Sequence, residues 1–369
     1  MNITVKEKRS DKLFCLSLAF FVFTFVIFLI CFFSEKFAGF YAGTVSYVLR
    51  LILSVITGFI PFSVAEVCVL FIPVGVILGV VWSVRRIVNK NFCVKRFAKI
   101  TASVVFIALS LFYNVLGVCY FVKPLEETLG LERTRLTRKE LYEDAMYTKS
   151  MLEKAAEKVT FDKSGASVNP HSYSETDRLI NEGYSKLSQS GVLKTAMVGQ
   201  SKKIMLSPLM TYTHISGMYM PFTGEANVNV NYPDYVVAYT IAHEKAHQRG
   251  IAEEDAANFV AFLACMSSGD DYLVYSALMN MYDSFLDETL SKDTEMYTEL
   301  VDNTDIKIIR EMYAYYKFFE KYAYSTASEI AGTVNDTYIK AMGDDDGVKS
   351  YGLVIELYHA YIKKEEIGL

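Results

Sequence analysis

The run His243-Glu244-Lys245-Ala246-His247-Gln248-Arg249-Gly250 holds three side chains that could act together on one metal ion and its water. On a helix, residues four apart share a face, so both imidazoles reach a single cation. The glutamate beside the first can take a proton from a metal-bound water. This is the H-E-x-x-H pattern of zinc hydrolases. His243 and His247 would bind Zn2+ through ring nitrogens and leave at least one position to water, while Glu244 would act as general base in attack on a metal-polarised carbonyl. The chain has five histidines, and two of them fall here in register.

A third ligand must come from outside the octet. Glu253, Glu254 and Asp255 follow at once, although acids also collect in first helical turns for reasons of the helix dipole alone. The spacing H-E-x-x-H-x-x-G-x-x-E points to Glu253. The pattern Glu254-x-x-Ala257-Asn258 instead resembles the E-x-x-A-D helix of gluzincin peptidases, in which the glutamate binds zinc and the residue one turn on hydrogen-bonds a histidine ligand. We favour Glu254, with Asn258 behind a histidine; asparagine there still accepts a hydrogen bond but adds no charge. Two further elements are candidates. Ala226–Val230 alternates strictly, as an edge strand pairing with an extended peptide would, with Asn227 or Glu225 reaching the site. Tyr351 is a candidate to stabilise the oxyanion, with His214 as the other; His171 and His359 read as surface or structural residues.

The elements that must position these groups are legible around them. Pro233 and Asp234 open a helix, Tyr235–Ala242 is apolar enough to be buried, and Gly250 stops it. Thr137-Arg138-Lys139-Glu140 is a capping box for a helix to about Val159. Phe161–Tyr173 has loop composition, and Ser174 reads as the cap of a helix to about Ser188. Short strands are expected between Lys203 and Val230. Helices are expected over 252–266, 272–290, 306–324, 327–342 and 348–364. A small β-sheet ahead of the motif and a mainly helical remainder is the α+β layout of zincin-like metallopeptidases.

The front of the chain is different in kind. At 52% hydrophobic residues and a mean hydropathy of +0.21, the protein is too apolar for an ordinary soluble chain. Leu13–Phe33, Val67–Val84 and Ile100–Val122 are uncharged runs of 21, 18 and 23 residues, suited to transmembrane helices over about 13–33, 64–84 and 100–122. The first is too long for a signal-peptide core and lacks a clear cleavage site. Tyr41–Ile60, interrupted by Arg50 and ended by Gly58 and Pro61, fits an interfacial or re-entrant helix. Basic residues before Leu13 and between Arg85 and Lys99 both belong in the cytoplasm under the positive-inside rule, which three crossings satisfy and four do not. Residues 1–122 thus read as a multi-pass membrane anchor with a cytoplasmic N-terminus, and 123–369 as an extracytoplasmic domain. Residues 1–122 hold 12 basic and 4 acidic groups, leaving 25 and 38 of the totals for the rest. That acidic balance argues against nucleic acid as a partner. Of six cysteines only Cys265 lies beyond residue 122, so the outer domain has no internal disulfide and depends on its core.

Taken together, Thr223-Gly224-Glu225-Ala226-Asn227-Val228-Asn229, the octet, Glu254-Asp255-Ala256-Ala257-Asn258 and Gly347-Val348-Lys349-Ser350-Tyr351-Gly352 resemble a bacterial family of membrane proteins, domain-of-unknown-function family 3810, over nearly the whole chain. The resemblance implies a zincin-type metallopeptidase anchored in a bacterial cell membrane and puts the family glutamate at Glu254. The expected partners are a peptide or protein substrate and the lipid bilayer. The competing expectations are a non-catalytic zinc-binding sensor or assembly module and a zinc amidase acting on cell-wall material.

Overall fold

The three long apolar runs fold as helices Ile3–Phe33, Val64–Val88 and Val94–Val115 in a computed structural model, which describes residues 3–90, 92–193, 197, 199–323, 325–341 and 353–367. Tyr351 and the rest of the 347–352 motif lie outside the described residues. The third run leaves the helix at Leu116 and tightens into a 3-10 turn, Gly117–Phe121, so its helix ends before Val122.

The ambiguous segment is also helical. From its cap at Ser34 it runs through Glu35–Tyr41, a π-helical turn Ala42–Ser46, and Tyr47–Gly58. Among the described residues, four helices are therefore long and apolar enough to cross a membrane: Arg9–Phe33, Glu35–Gly58, Val64–Val88 and Val94–Val115. The second differs from the others in which face is polar. Ser46, Arg50, Ser54 and Thr57 are buried, while Val48, Ile52, Val55, Ile56 and Phe59 are exposed, the reverse of a helix packed on a soluble core. Its buried groups meet the C-terminal end of Val94–Val115. Arg50 donates to the Val115 carbonyl at 2.9 Å and to Ala42 O at 3.2 Å, Ser46 donates to Val115 O at 2.8 Å, and Tyr41 donates to Asn114. A buried guanidinium is tolerated there because it caps carbonyls that a helix end leaves unpaired.

By contacts, one compact unit comprises Met1–Val122 and Met220–Gly224, and the other comprises Lys123–Tyr219 and Glu225–Leu369. The second unit is built from helices Arg138–Ala156, Tyr173–Gln189, Asp234–Gln248, Glu254–Ser268, Asp271–Lys292 and Val354–Ile367, whose apolar faces share one core. Small residues let its helices approach closely. A Cβ on Gly183 would come 2.0 Å from the Ala264 carbonyl oxygen, so Tyr173–Gln189 crosses Glu254–Ser268 at backbone contact. The Thr137–Glu140 capping box forms as expected. The next helix is capped by Ser172 rather than Ser174, because Ser172 Oγ reaches the Glu175 amide. Thr294–Asp302 is an additional helix, started by Asp293, where the sequence had suggested none.

Among the described residues there are two sheets. One is an antiparallel pair, Thr160–Phe161 with Ser167–Val168, at the start of the stretch expected to be loop. The other, ahead of the motif helix, is three short strands in the order Lys202–Lys203, Glu225–Val228, Gly217–Met220. In the three-stranded sheet Lys202–Lys203 and Glu225–Val228 run parallel, Lys202 opposite Asn227 and Lys203 opposite Val228. Glu225–Val228 is thus the central strand, not the edge expected of Ala226–Val230. Its alternation shows that it is a strand, but its neighbours are set by Lys202–Lys203, a two-residue pairing with no apolar signal of its own. Gly217–Met220 stands on the other side of the central strand.

Candidate metal centre

Helix Asp234–Gln248 is buried over most of its length and ends as the sequence suggests. Gly250 takes φ +93°, with Gly250 N–H to His247 O at 2.9 Å and Ile251 N–H to Ala246 O at 3.1 Å. This left-handed turn satisfies the last carbonyls and reverses the chain. It also aims the Ile251 carbonyl at His247 and brings helix Glu254–Ser268 back beside the motif.

The consequence is a convergence of three atoms. His243 Nε2 and His247 Nε2 are 3.1 Å apart, and Glu254 Oε2 lies 3.2 Å from the first and 3.3 Å from the second. Each imidazole is oriented from behind. His243 Nδ1 donates to Asn258 Oδ1 at 2.8 Å, and His247 Nδ1 donates to the Ile251 carbonyl at 2.7 Å. Carbonyl oxygens only accept, so both rings carry Nδ1–H and turn an Nε2 lone pair to the centre. Asn258 is held in turn, its carbonyl accepting the Tyr239 hydroxyl at 2.7 Å.

Zinc fits this donor set. With bonds of about 2.0–2.1 Å, the edges of a tetrahedral site are roughly 3.3 Å, the size of the triangle observed. Glu254 Oε2 is buried with no hydrogen-bond partner, and three converging acceptors repel one another unless a cation or proton sits among them. Among the described residues, this is the group of histidine, cysteine and acidic side chains that converges as a metal site. Asp255 is used elsewhere, held by Arg133 at 2.6 Å, and Arg133 also binds Glu356 at 3.0 Å. Glu253 is the cap of the helix and lies outside the triad.

The electrostatics follow from burial against charge. Burial works to lower His247, but the Glu254 carboxylate outweighs it and raises the imidazole to about 9. Burial likewise works to raise Glu254, and the two imidazoles overcome it, holding that carboxyl well below the usual range. Glu244 is moved the other way: burial raises it, with the imidazoles opposing. Its Oε2 is buried without a hydrogen-bond partner, while the Tyr219 backbone N–H donates to the carboxylate.

That contact shows what sequence reading missed. Strand Gly217–Met220 lies directly against Glu244, and a Cβ on Gly217 would come 2.5 Å from Glu244 Oε1 and 2.6 Å from Thr240 Cγ2. A lone glycine between Ser216 and Met218 gives no hint of this in the sequence.

The remaining candidates sit elsewhere. Asn227 Nδ2 donates to the Met218 and Glu225 carbonyls at 3.2 and 3.1 Å, bracing two strands. Glu225 is buried and faces Lys202 electrostatically. His214 Nε2 contacts the Tyr322 carbonyl at 2.7 Å, and His171 and His359 pair with Asp270 and Asp144, each at 2.7 Å.

The back of the motif helix is a second, distinct cluster. Lys245 Nζ lies 3.0 Å from Asp177 Oδ1 and donates to Gly199 O at 2.7 Å and Asn181 Oδ1 at 3.1 Å. Arg249 stacks 3.8 Å over Tyr184 and donates to Met197 O at 3.2 Å.

Residues 41–358 match the family described as "Protein of unknown function (DUF3810)". No curated protein and no solved structure matches the chain.

Proposed function

The chain belongs to the DUF3810 family, whose description assigns no activity, and on that premise we propose that it is a membrane-anchored, zinc-dependent peptidase. One observation carries the reading: a buried, unpartnered Glu254 oxygen meets two imidazole nitrogens at 3.2–3.3 Å, and both rings are locked from behind in the ligating tautomer. As metal ligands both imidazoles would be neutral, so with the Glu254 and Glu244 carboxylates the donor set would carry a charge of minus two, the complement of a divalent cation.

His243, His247 and Glu254 would hold the zinc. When bound, the metal supplies Lewis acidity, polarising a scissile carbonyl and making a water acidic near neutral pH. Glu244, raised by burial, would accept a proton from the attacking water at Oε2. It would then return that proton to the leaving nitrogen as the C–N bond breaks. The Tyr219 N–H holds the Glu244 carboxylate in place during both transfers. An extended polypeptide suits the setting, because strand Gly217–Met220, at one edge of the three-stranded sheet, lies beside Glu244, where a substrate strand could run along it.

For topology we propose three crossings, with Glu35–Gly58 lying at the outer interface and the hydrolytic unit outside the cytoplasmic membrane. The reversed polarity of that helix, and its bonds to the end of Val94–Val115, support this reading alongside the distribution of basic residues.

Metal analysis of the full-length protein should find about one zinc per chain, lost in His243→Ala. Glu244→Gln should keep the zinc and lower peptide hydrolysis by about 10²- to 10⁴-fold. A protein that folds normally without binding zinc, or a Glu244→Gln variant that hydrolyses normally, overturns the reading. Comparing surface and secreted peptides from cells carrying either form would identify the substrate.

A further inference from the structure

Glu254, the third donor of the metal centre, is the first residue of its helix. A first turn has fewer backbone bonds than a helix interior and frays first, so a ligand placed there needs a support of its own. The next residue supplies it. Asp255 is buried, and its two oxygens are used differently. Oδ1 accepts the Ala256 N–H at 2.7 Å, and Oδ2 lies 2.6 Å from Arg133 Nη1.

Arg133 does not serve Asp255 alone. Its Nε donates to Glu356 Oε2 at 3.0 Å, and its Nη1 lies 3.7 Å from Glu126 Oε1. One guanidinium thus joins the turn that carries Glu254 to helix Leu125–Leu129 and to the C-terminal helix Val354–Ile367. Its planar fork points the donors in fixed directions, so it fixes the carboxylates relative to one another as an ammonium would not. The C-terminal helix also packs farther along the ligand-bearing helix. Tyr358 and Phe262 meet edge to face with ring centroids 5.2 Å apart, and Tyr361 and Phe259 at 5.6 Å. A separate tie joins it to helix Arg138–Ala156, where His359 Nδ1 lies 2.7 Å from Asp144 Oδ2.

We propose that Arg133 and Glu356 are positioning residues for the metal ligand Glu254: through Asp255 they hold the first turn of its helix, so that the C-terminal helix sets where Glu254 Oε2 stands. The consequence for metal binding rests on the proposed zinc site. The hold on the turn can be read without metal.

The test uses Arg133→Met, Glu356→Gln and Arg133→Lys in the full-length protein in a lipid nanodisc. Two quantities are measured: amide hydrogen exchange at 256–258 after chelation, and zinc affinity in competition with a chelator. Arg133→Met should raise exchange about tenfold or more as the turn loosens, and weaken zinc binding by about 10- to 100-fold. Glu356→Gln, which leaves Arg133 on Asp255, should move both readouts the same way but less, and serves if Arg133→Met fails to fold. Arg133→Lys keeps the charge and loses the fork, and should fall between Arg133→Met and the wild type. His359→Gln is the control. It loosens the C-terminal helix at its other tie and should leave both readouts unchanged. Wild-type exchange in Arg133→Met and in Glu356→Gln overturns the hold. Raised exchange with unchanged zinc affinity overturns the positioning of the ligand, as do equal losses in His359→Gln. If the wild type binds no zinc while exchange still rises in the Arg133 and Glu356 variants, the metal reading fails and the hold is upheld.

Discussion

One side of helix Asp234–Gln248 presents His243, Glu244 and His247, and the other presents Lys245 and Arg249. Both sets of polar groups are largely removed from water, yet they are satisfied differently. On the back, the two cations are matched to Asp177, Asn181 and backbone carbonyls at hydrogen-bonding distance. On the front, Glu244 Oε2 and Glu254 Oε2 are buried without a hydrogen bond, and two imidazole lone pairs point at each other's neighbourhood. A fold tolerates a buried charge when its partners are built in, and leaves acceptors open when something else is to fill them. The back of the helix holds it in place. The front is arranged for a ligand.

If that division is right, damage to the back should cost stability rather than chemistry. Asp177 accepts from Lys245 and also from the Ser201 amide and hydroxyl at 2.9 and 2.6 Å. Asp177→Ala leaves a buried ammonium without its counter-ion and should destabilise the outer unit by about 3–5 kcal/mol, measured by denaturant unfolding. Zinc stoichiometry of the remaining folded fraction should be unchanged. Equal loss of zinc at full stability would dissolve the distinction between the two faces.

A gentler probe of the same face is pH. Burial lowers the Lys245 ammonium to about 8, with Asp177 opposing, against about 10.4 for an unfolded lysine. Between these values the unfolded chain binds the proton and the folded one does not, so stability rises with pH across that window and the penalty is fully present below it. The contribution is about 3 kcal/mol. Lys245→Met should remove this slope between pH 8 and 10.4 when its unfolding free energy is compared with that of the wild type. Parallel profiles for the two proteins would show that Lys245 stays charged throughout.

How much of this was legible in the sequence depends on the range of the interaction. The octet, the Gly250 stop, the Thr137 capping box and the Glu254–Asn258 pair are set by spacings of three to four residues on one helix, and the chain states such spacings directly. Glu254 over Asp255 was a choice between neighbours on adjacent faces, and Arg133, more than a hundred residues earlier, is what takes Asp255. Gly217 and the Tyr219 amide were invisible for the same reason. Their role exists only once a strand is laid across Glu244, and no local pattern encodes strand order. Helix Glu35–Gly58 was ambiguous because its polar stripe faces inward. Hydropathy registers how many apolar residues a segment has, not which way they point.

The finest distinction on the metal-facing side is Asn258, which touches His243 but not the triad's centre. Its oxygen fixes the His243 tautomer at 2.8 Å, and its own backbone is steadied by Tyr239. Removing a partner behind a ligating histidine typically costs 10- to 100-fold in metal affinity, so Asn258→Ala should weaken zinc binding by about that much in competition with a chelator. Asn258→Asp separates orientation from charge, since it keeps the acceptor and adds a negative group that makes the imidazole more basic. It should bind zinc at least as tightly as the wild type. If alanine binds as well as asparagine, His243 is oriented by the helix alone, and the order seen on the front of the motif reaches only one shell deep.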